Sequence, residues 1–383
     1  MIQVERMIFM KLRSTFAVID REIYRKNIRL IQHQIGKDTG LILVLKDNAY
    51  GLGATELARV GMQEGVSCYA VANLYEALEL RKLDSDIRII VLGYINEDAR
   101  TIALQYDIDV VVWTKELALS YQQLGFSSGK QARIHIKVDT GLSRLGFLPN
   151  EESLAVLEEI SKMEHLTIVS TFSHFACTET DDDDFSRGQL STFLTFVDSM
   201  KKRGIQPGFI HMADSAGIVK FPESHLDFVR CGALAMGSMT GTDVVKSSEQ
   251  YPTEEIISLY SQVARVQDFP KGTSIGYDGT YFADHDIRVV TVPMGYGDGL
   301  SGELSNSMQV IINGKKAKSV GAFCMDMAMF DATGIDCKEG DTVTILGQDG
   351  NEKVSLHDWT KLCTSSSTFL QSMLRNKIPK EYK

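Results

Sequence analysis

Lys46 closes an apolar run, 41–45, and a turn of small and polar residues follows it: Asp47-Asn48-Ala49-Tyr50-Gly51-Leu52-Gly53. An amine at the mouth of a buried strand, with a tyrosine and glycines just beyond it, suits a lysine that forms a Schiff base with a phosphorylated aldehyde cofactor. A lysine that merely ends a strand and reaches into water shows the same local pattern. Other polar residues at the ends of apolar runs decide between the two. Lys137 and Asp139 end one such run, His174 ends the next, Ser215 follows another and Arg230 lies in the last. Ser215, at a helix start, and the backbone at Gly232 offer hydroxyl and N–H donors to a phosphate.

The elements that must position these residues alternate regularly. Strands are expected at 41–46, 68–73, 87–93, 109–113, 133–139, 166–174, 209–213 and 228–232, with helices between them at 74–82, 115–123, 151–163 and 189–202. Eightfold strand–helix alternation is the pattern of an α/β fold, a (β/α)8 TIM-like barrel, whose sites gather at the C-terminal ends of the strands. A doubly wound open sheet is the alternative. After Gly237 the texture changes to glycines and short β-branched runs (289–293, 309–312, 317–324, 342–346) with turns at Asn313-Gly314 and Asp349-Gly350. This predicts a barrel domain over 11–245 and a mostly-β domain over 246–383.

Composition narrows the class. A formal charge of −10 with no basic cluster argues against a nucleic-acid surface. The six cysteines are scattered without metal or disulfide spacing, which predicts reduced thiols in a cytoplasmic protein. No apolar stretch approaches the ~18 residues of a membrane span, and the first residues lack a signal-peptide core, so no membrane contact is expected of the chain as given. The acidic run Asp181-Asp182-Asp183-Asp184 reads as a solvated loop leading into a helix rather than a cation site.

The motifs carry a resemblance. The Lys46 segment is similar to the cofactor-lysine motif of the alanine racemase family, and Lys137-Val138-Asp139-Thr140-Gly141-Leu142-Ser143-Arg144-Leu145-Gly146 to a second motif of that family. Ser173-His174-Phe175-Ala176, His211-Met212-Ala213-Asp214-Ser215-Ala216, Arg230-Cys231-Gly232, Gly276-Tyr277-Asp278-Gly279, Gly295-Tyr296-Gly297-Asp298-Gly299 and Cys324-Met325-Asp326 follow in family order. The resemblance runs from about Arg13 to Tyr382.

It implies pyridoxal 5′-phosphate on Lys46 and a homodimer whose active sites borrow residues from the partner. It also implies racemisation by two bases, Lys46 and the Tyr277 of the other subunit. Inversion needs a proton removed from one face of Cα and returned on the other, which one base serves poorly. Tyrosine ordinarily titrates near ~10, so a tyrosine base needs cationic or hydrogen-bonding neighbours; by resemblance His174 and Arg230 provide them. Arg230 would face the pyridine nitrogen and discourage its protonation. Arg144 would bond the phenolic oxygen, Tyr50, Ser215 and Gly232 the phosphate, and Lys137, carbamylated, would hold Arg144. Met325 and Asp326 would line the substrate-carboxylate side.

Two departures bear on substrate. Asp214 stands where the family has asparagine, and Asn376 falls where a tyrosine usually precedes the family's C-terminal ending. An asparagine there opens room beside the substrate β-carbon and offers an amide to a hydroxyl, as in serine racemases of the vancomycin-resistance type, which carry such a catalytic region behind a membrane domain. The expectation is therefore an enzyme for serine and alanine, cut from a membrane-anchored protein, that supplies D-amino acid for peptidoglycan precursors. The alternative is a housekeeping alanine racemase. A barrel-type decarboxylase, a broad-specificity periplasmic racemase and a cofactor-binding regulatory protein fit fewer of these residues.

Overall fold

The structure is a computed structural model that describes residues 12–178, 183–239, 248–374 and 377–383. Eight parallel strands close into a barrel: β2 (Gly40–Val44), β3 (Cys68–Val71), β4 (Arg88–Val91), β5 (Asp109–Val112), β6 (Ala132–Lys137), β7 (Leu166–Phe172), β8 (Phe209–His211) and β9 (Phe228–Cys231), with β9 paired back to β2. These are the eight expected runs, most of them a residue or two shorter at the C-terminal end. Every residue of β3 and β5 is buried, because barrel strands are covered by side chains inside and helices outside. Several helices start on side-chain caps. Asn73 accepts from Glu76 N at 3.0 Å, Thr114 from Leu117 N at 3.2 Å and Asn150 from Ser153 N at 2.9 Å. Each such cap stabilises its helix by about 1 kcal/mol and fixes where the chain turns above the barrel.

The barrel does not begin at residue 11, as the sequence predicted. Strand β1 (Phe16–Ile19) pairs antiparallel with β10 (Ile257–Gln262) and parallel with β18 (Lys380–Tyr382), so the start of the chain belongs to the second sheet. Its burial alternates along the strand, as in a sheet with one covered face, whereas barrel strands are buried on both. The predicted boundary near 245 falls among residues 240–247, outside the described residues.

The second sheet also contains β11 (Arg265–Phe269), β12 (Ile287–Val292), β13 (Gln309–Ile312), β14 (Lys315–Ser319), β15 (Ala328–Asp331) and β16 (Thr342–Asp349), in the order β11-β12-β15-β14-β13-β16-β10-β1-β18, and β17 (Glu352–Val354) pairs with β16. The β13–β14 hairpin turns at Asn313 and Gly314, both with positive φ (49° and 72°), as a tight two-residue turn requires. Asp298, fully buried, ties the chain's ends to this domain: it pairs with Arg13 and, at 2.9 Å, with Lys377. Tyr382 Oη donates to Leu52 O at 3.0 Å, so β18 also braces the turn after Lys46. A Cβ at Gly53 would overlap that hydroxyl at 2.0 Å, which is why the turn carries glycine there.

Asp183 and Asp184 lead into the helix Asp184–Lys202, and Asp183 pairs with Lys220 at 2.9 Å; Asp181 and Asp182 lie outside the described residues. Among the described residues no group of His, Cys, Asp or Glu could hold a metal, and no helix is long and apolar enough to cross a membrane.

Candidate active site

The cavity at the C-terminal ends of the barrel strands has a volume of about 430 Å³ and is lined by Lys46, Tyr50, Arg144, His174, Ser215, Arg230 and Gly232. These seven residues singled out in the sequence, together with Lys137 and Asp214, thus line one cavity. Lys46 leaves β2 and enters a left-handed turn: Asp47, Asn48, Ala49 and Tyr50 all have φ between 53° and 55°. Such conformations cost roughly 1–2 kcal/mol per residue for L-amino acids. Local hydrogen bonds offset the strain: Ala49 N to Leu45 O (2.8 Å), Gly51 N to Asp47 O (2.9 Å), Gly53 N to Asn48 O (2.9 Å) and Ala54 N to Asn48 Oδ1 (2.9 Å). The turn swings Tyr50 back toward β9. Among the described residues Lys46 Nζ has no hydrogen-bond or ion-pair partner, and it stands 5.8 Å from the Tyr50 ring centre.

Ser215 Oγ accepts from Gly232 N at 3.1 Å and Leu234 N at 3.2 Å. A Cβ at residue 232 would come within 2.5 Å of the Tyr50 hydroxyl, so two hydroxyls and a bare stretch of backbone converge on one spot. Hydroxyl donors beside a glycine, where no side chain blocks approach to the backbone, suit a phosphate. With an unpartnered amine at the same cavity, the residues present fit the phosphate and aldehyde of pyridoxal phosphate.

Arg230 is buried at the cavity floor. Its guanidinium donates to Ser173 O (2.9 Å), Met212 O (2.8 Å), His211 Nδ1 (2.6 Å) and His174 Nδ1 (3.1 Å). Burial pulls its pKa down to about 10, which leaves it charged at neutral pH. An arginine only donates, so His174 and His211 both present unprotonated Nδ1 and carry their proton on Nε2. Both are held neutral, first by burial and then by the charge of Arg230, with pKa values well below the usual imidazole range. His174 opens onto the cavity with 29% of its side chain exposed.

Three further residues line the cavity: Lys137, which the resemblance sets against Arg144, Asp214, the departure noted in the sequence, and Thr368, which the sequence did not single out. Lys137 lines it and is buried with no carboxylate within ion-pair distance among the described residues; desolvation and the neighbouring charges of Arg230 and Arg144 push its amine well below the usual range. Asp214 lines it too, caps the helix Ser215–Lys220 through Gly217 N at 2.9 Å and stands 3.9 Å from His174 Nδ1. Burial raises its carboxyl pKa. Thr368 reaches the cavity from the C-terminal helix Ser367–Met373.

Tyr277, Met325 and Asp326 do not line this chain's cavity. They stand on the β domain's surface, 63%, 56% and 69% exposed. Phe282, Tyr296 and Met327 are exposed there as well. Asn376 lies outside the described residues.

Comparison with known proteins gives two family matches, "Alanine racemase, N-terminal domain" over residues 19–240 and "Alanine racemase, C-terminal domain" over residues 256–382. The chain is 34% identical to an alanine racemase of Methanococcus maripaludis over 96% of its own length and 98% of the relative's. It is 33% identical to one from Clostridium perfringens, covering 97% and 96%. Among solved structures it is similar to the alanine racemase of Clostridium difficile (29% identity, TM-score 0.89, 97% and 96% covered) and to that of a D-cycloserine-producing Streptomyces lavendulae (26%, 0.91, 97% and 97%). A similar structure from Bacillus anthracis (26%, 0.88, 97% and 95%) has L-Ala-P bound.

Proposed function

The chain belongs to the alanine racemase family, a pyridoxal-phosphate-dependent family, and from that premise we propose that it interconverts L- and D-alanine to supply D-alanine for peptidoglycan precursors. The observation that carries this reading is the convergence of an unpartnered Lys46 with a phosphate cradle and a buried Arg230 on one cavity. The bound cofactor withdraws electrons from the substrate's Cα and so acidifies its proton.

Lys46 Nζ takes or returns that proton on one face. Tyr277 of a second copy serves the other, a reading supported by its exposure on the β domain amid further exposed apolar side chains. His174, its Nδ1 engaged by Arg230, has Nε2–H free to donate to the phenolic oxygen as charge develops there. Arg230, lining the same cavity, would oppose protonation of the cofactor ring and so favour proton exchange over deeper electron withdrawal. Lys137, its amine pKa pushed well down by burial and the neighbouring arginines, would in its unprotonated form add carbon dioxide and lose a proton. The resulting carbamate would set an anion near Arg144 and Arg230.

The comparisons move the reading from serine to alanine. The relatives named above are alanine racemases matched over nearly their whole length, whereas the serine assignment and its vancomycin-resistance setting rested on Asn376, outside the described residues. Initial rates on L-alanine and L-serine, compared as kcat/KM, test this. A clear alanine preference is expected, as is growth of a D-alanine-requiring bacterium without added D-alanine. Comparable efficiency on serine would overturn the alanine reading and restore the other.

A further inference from the structure

Beneath the cavity a row of buried polar groups crosses the barrel, one from each of five consecutive strands: Asp109 on β5, His135 on β6, Ser170 on β7, His211 on β8 and Arg230 on β9. The links are Asp109 Oδ2 to His135 Nε2 at 3.0 Å, His135 Nδ1 to Ser170 Oγ at 2.5 Å, Ser170 Oγ to His211 Nε2 at 3.1 Å and His211 Nδ1 to Arg230 at 2.6 Å. All five are at most 4% exposed. Phe172 stacks on the His211 ring at 4.7 Å, and Phe209 lies within 5.8 Å of both imidazoles, so the row is dry.

The two ends fix its direction. Arg230 can only donate, so His211 accepts at Nδ1 and donates from Nε2 to Ser170. The Ser170 hydroxyl then donates to His135 Nδ1, and His135 donates from Nε2 to Asp109, which as a carboxylate only accepts. Every proton points from Arg230 toward Asp109. At the far end Arg133 and Arg88 hold the carboxylate, at 2.5 Å to Oδ1 and 3.5 Å to Oδ2, and keep it ionised.

We propose that Asp109 is a positioning residue for Arg230, acting through this one-way chain of hydrogen bonds to hold a neutral His211 with a bare Nδ1 against the cofactor-facing guanidinium. A barrel interior filled by apolar residues would not need such a chain, and half-satisfied polar groups in it would be costly. Reversing a link leaves two donors or two acceptors facing each other somewhere along the row, or strands the Ser170 hydroxyl proton without an acceptor. If His211 carried its proton on Nδ1, that clash would fall on Arg230 itself.

The proposal rests on the racemase reading for Arg230's role, and the test separates the two. In the pyridoxal-phosphate-loaded protein with 15N-labelled histidine, His135 and His211 should both be protonated on Nε2. In Asp109→Asn, Arg133 retains the amide oxygen and the amide N–H faces His135, so His135 should switch to the Nδ1–H form. L-Alanine kcat should fall roughly fivefold with KM changed less than about twofold. Ser170→Ala should lower kcat comparably, and adding Asp109→Asn to it should change little further, because the chain is already cut. His135 keeping its Nε2 proton in Asp109→Asn, equal factors in both backgrounds, or an unaffected kcat in Ser170→Ala would each overturn the proposal. The tautomers report without turnover, so an inactive wild-type protein would count against the racemase reading alone. Should Asp109→Asn not fold, Ser170→Ala still decides through its kcat.

Discussion

Tyr50 and Gly232 share one space: the tyrosine hydroxyl stands where a Cβ on residue 232 would lie 2.5 Å away. The contact joins the turn after the first barrel strand to the end of the last, at the proposed phosphate cradle. Gly232→Ala should push the Tyr50 ring aside without unfolding the barrel, because the displaced atom ends a side chain. Affinity for pyridoxal phosphate should fall at least about tenfold, or ~1.4 kcal/mol, read by absorbance titration of the cofactor-free protein. Unchanged affinity would remove Tyr50 and Gly232 from the cradle.

In the proposed mechanism Lys46 is both the cofactor's anchor and one base, and Lys46→Ala would remove both. Racemisation should drop by at least about 10²–10⁴-fold, the range for losing a positioned acid–base group, and the absorbance of a lysine-bound cofactor should vanish. Cofactor added to the variant should bind without that band.

Asp214 serves as a helix cap whatever its charge. Asp214→Ala should cost about 1 kcal/mol in urea unfolding, whereas Asp214→Asn, which keeps an oxygen for Gly217 N, should cost only a few tenths. Asp214→Asn also removes the carboxylate beside His174, so the two variants separate capping from electrostatics.

Stability should fall on acidification below about pH 6.5. His135, His174 and His211 have folded pKa values below their unfolded value of ~6.5, chiefly because burial penalises the charged ring. Below pH 6.5 the unfolded chain binds more protons than the folded one, so stability present above that pH is lost as pH drops. Glu255, pushed up to about 7 by burial, acts in the opposite sense between its unfolded and folded values. Three histidines against one glutamate give a net loss of stability as pH falls below 6.5. Glu255→Gln should steepen that slope, as urea unfolding at pH 7.5, 6 and 5 would show.

Much of the barrel was legible because each strand is an apolar run ended by a polar residue, and Lys46, His174 and Arg230 stand at such ends. Strand β1 was misplaced because its alternating burial belongs to a sheet with one covered face, and its partners lie more than two hundred residues away. The left-handed turn at Asp47 to Tyr50 left little trace, since alanine and tyrosine rarely adopt positive φ and only tertiary contacts hold them there. His135 and Ser170 were missed for a different reason. A single polar residue inside a barrel strand reads as noise until the neighbouring strands supply its partners.

The central claim, that Lys46 and Tyr277 of different copies act on one substrate, is tested most directly by mixing two inactive variants. Lys46→Ala and Tyr277→Phe, unfolded together and reassembled, should form mixed dimers with one intact site each, restoring roughly a quarter of wild-type L-alanine racemisation if a two-fold dimer assembles at random. No recovery, with mixed dimers demonstrated by differential tagging, would contradict the shared site.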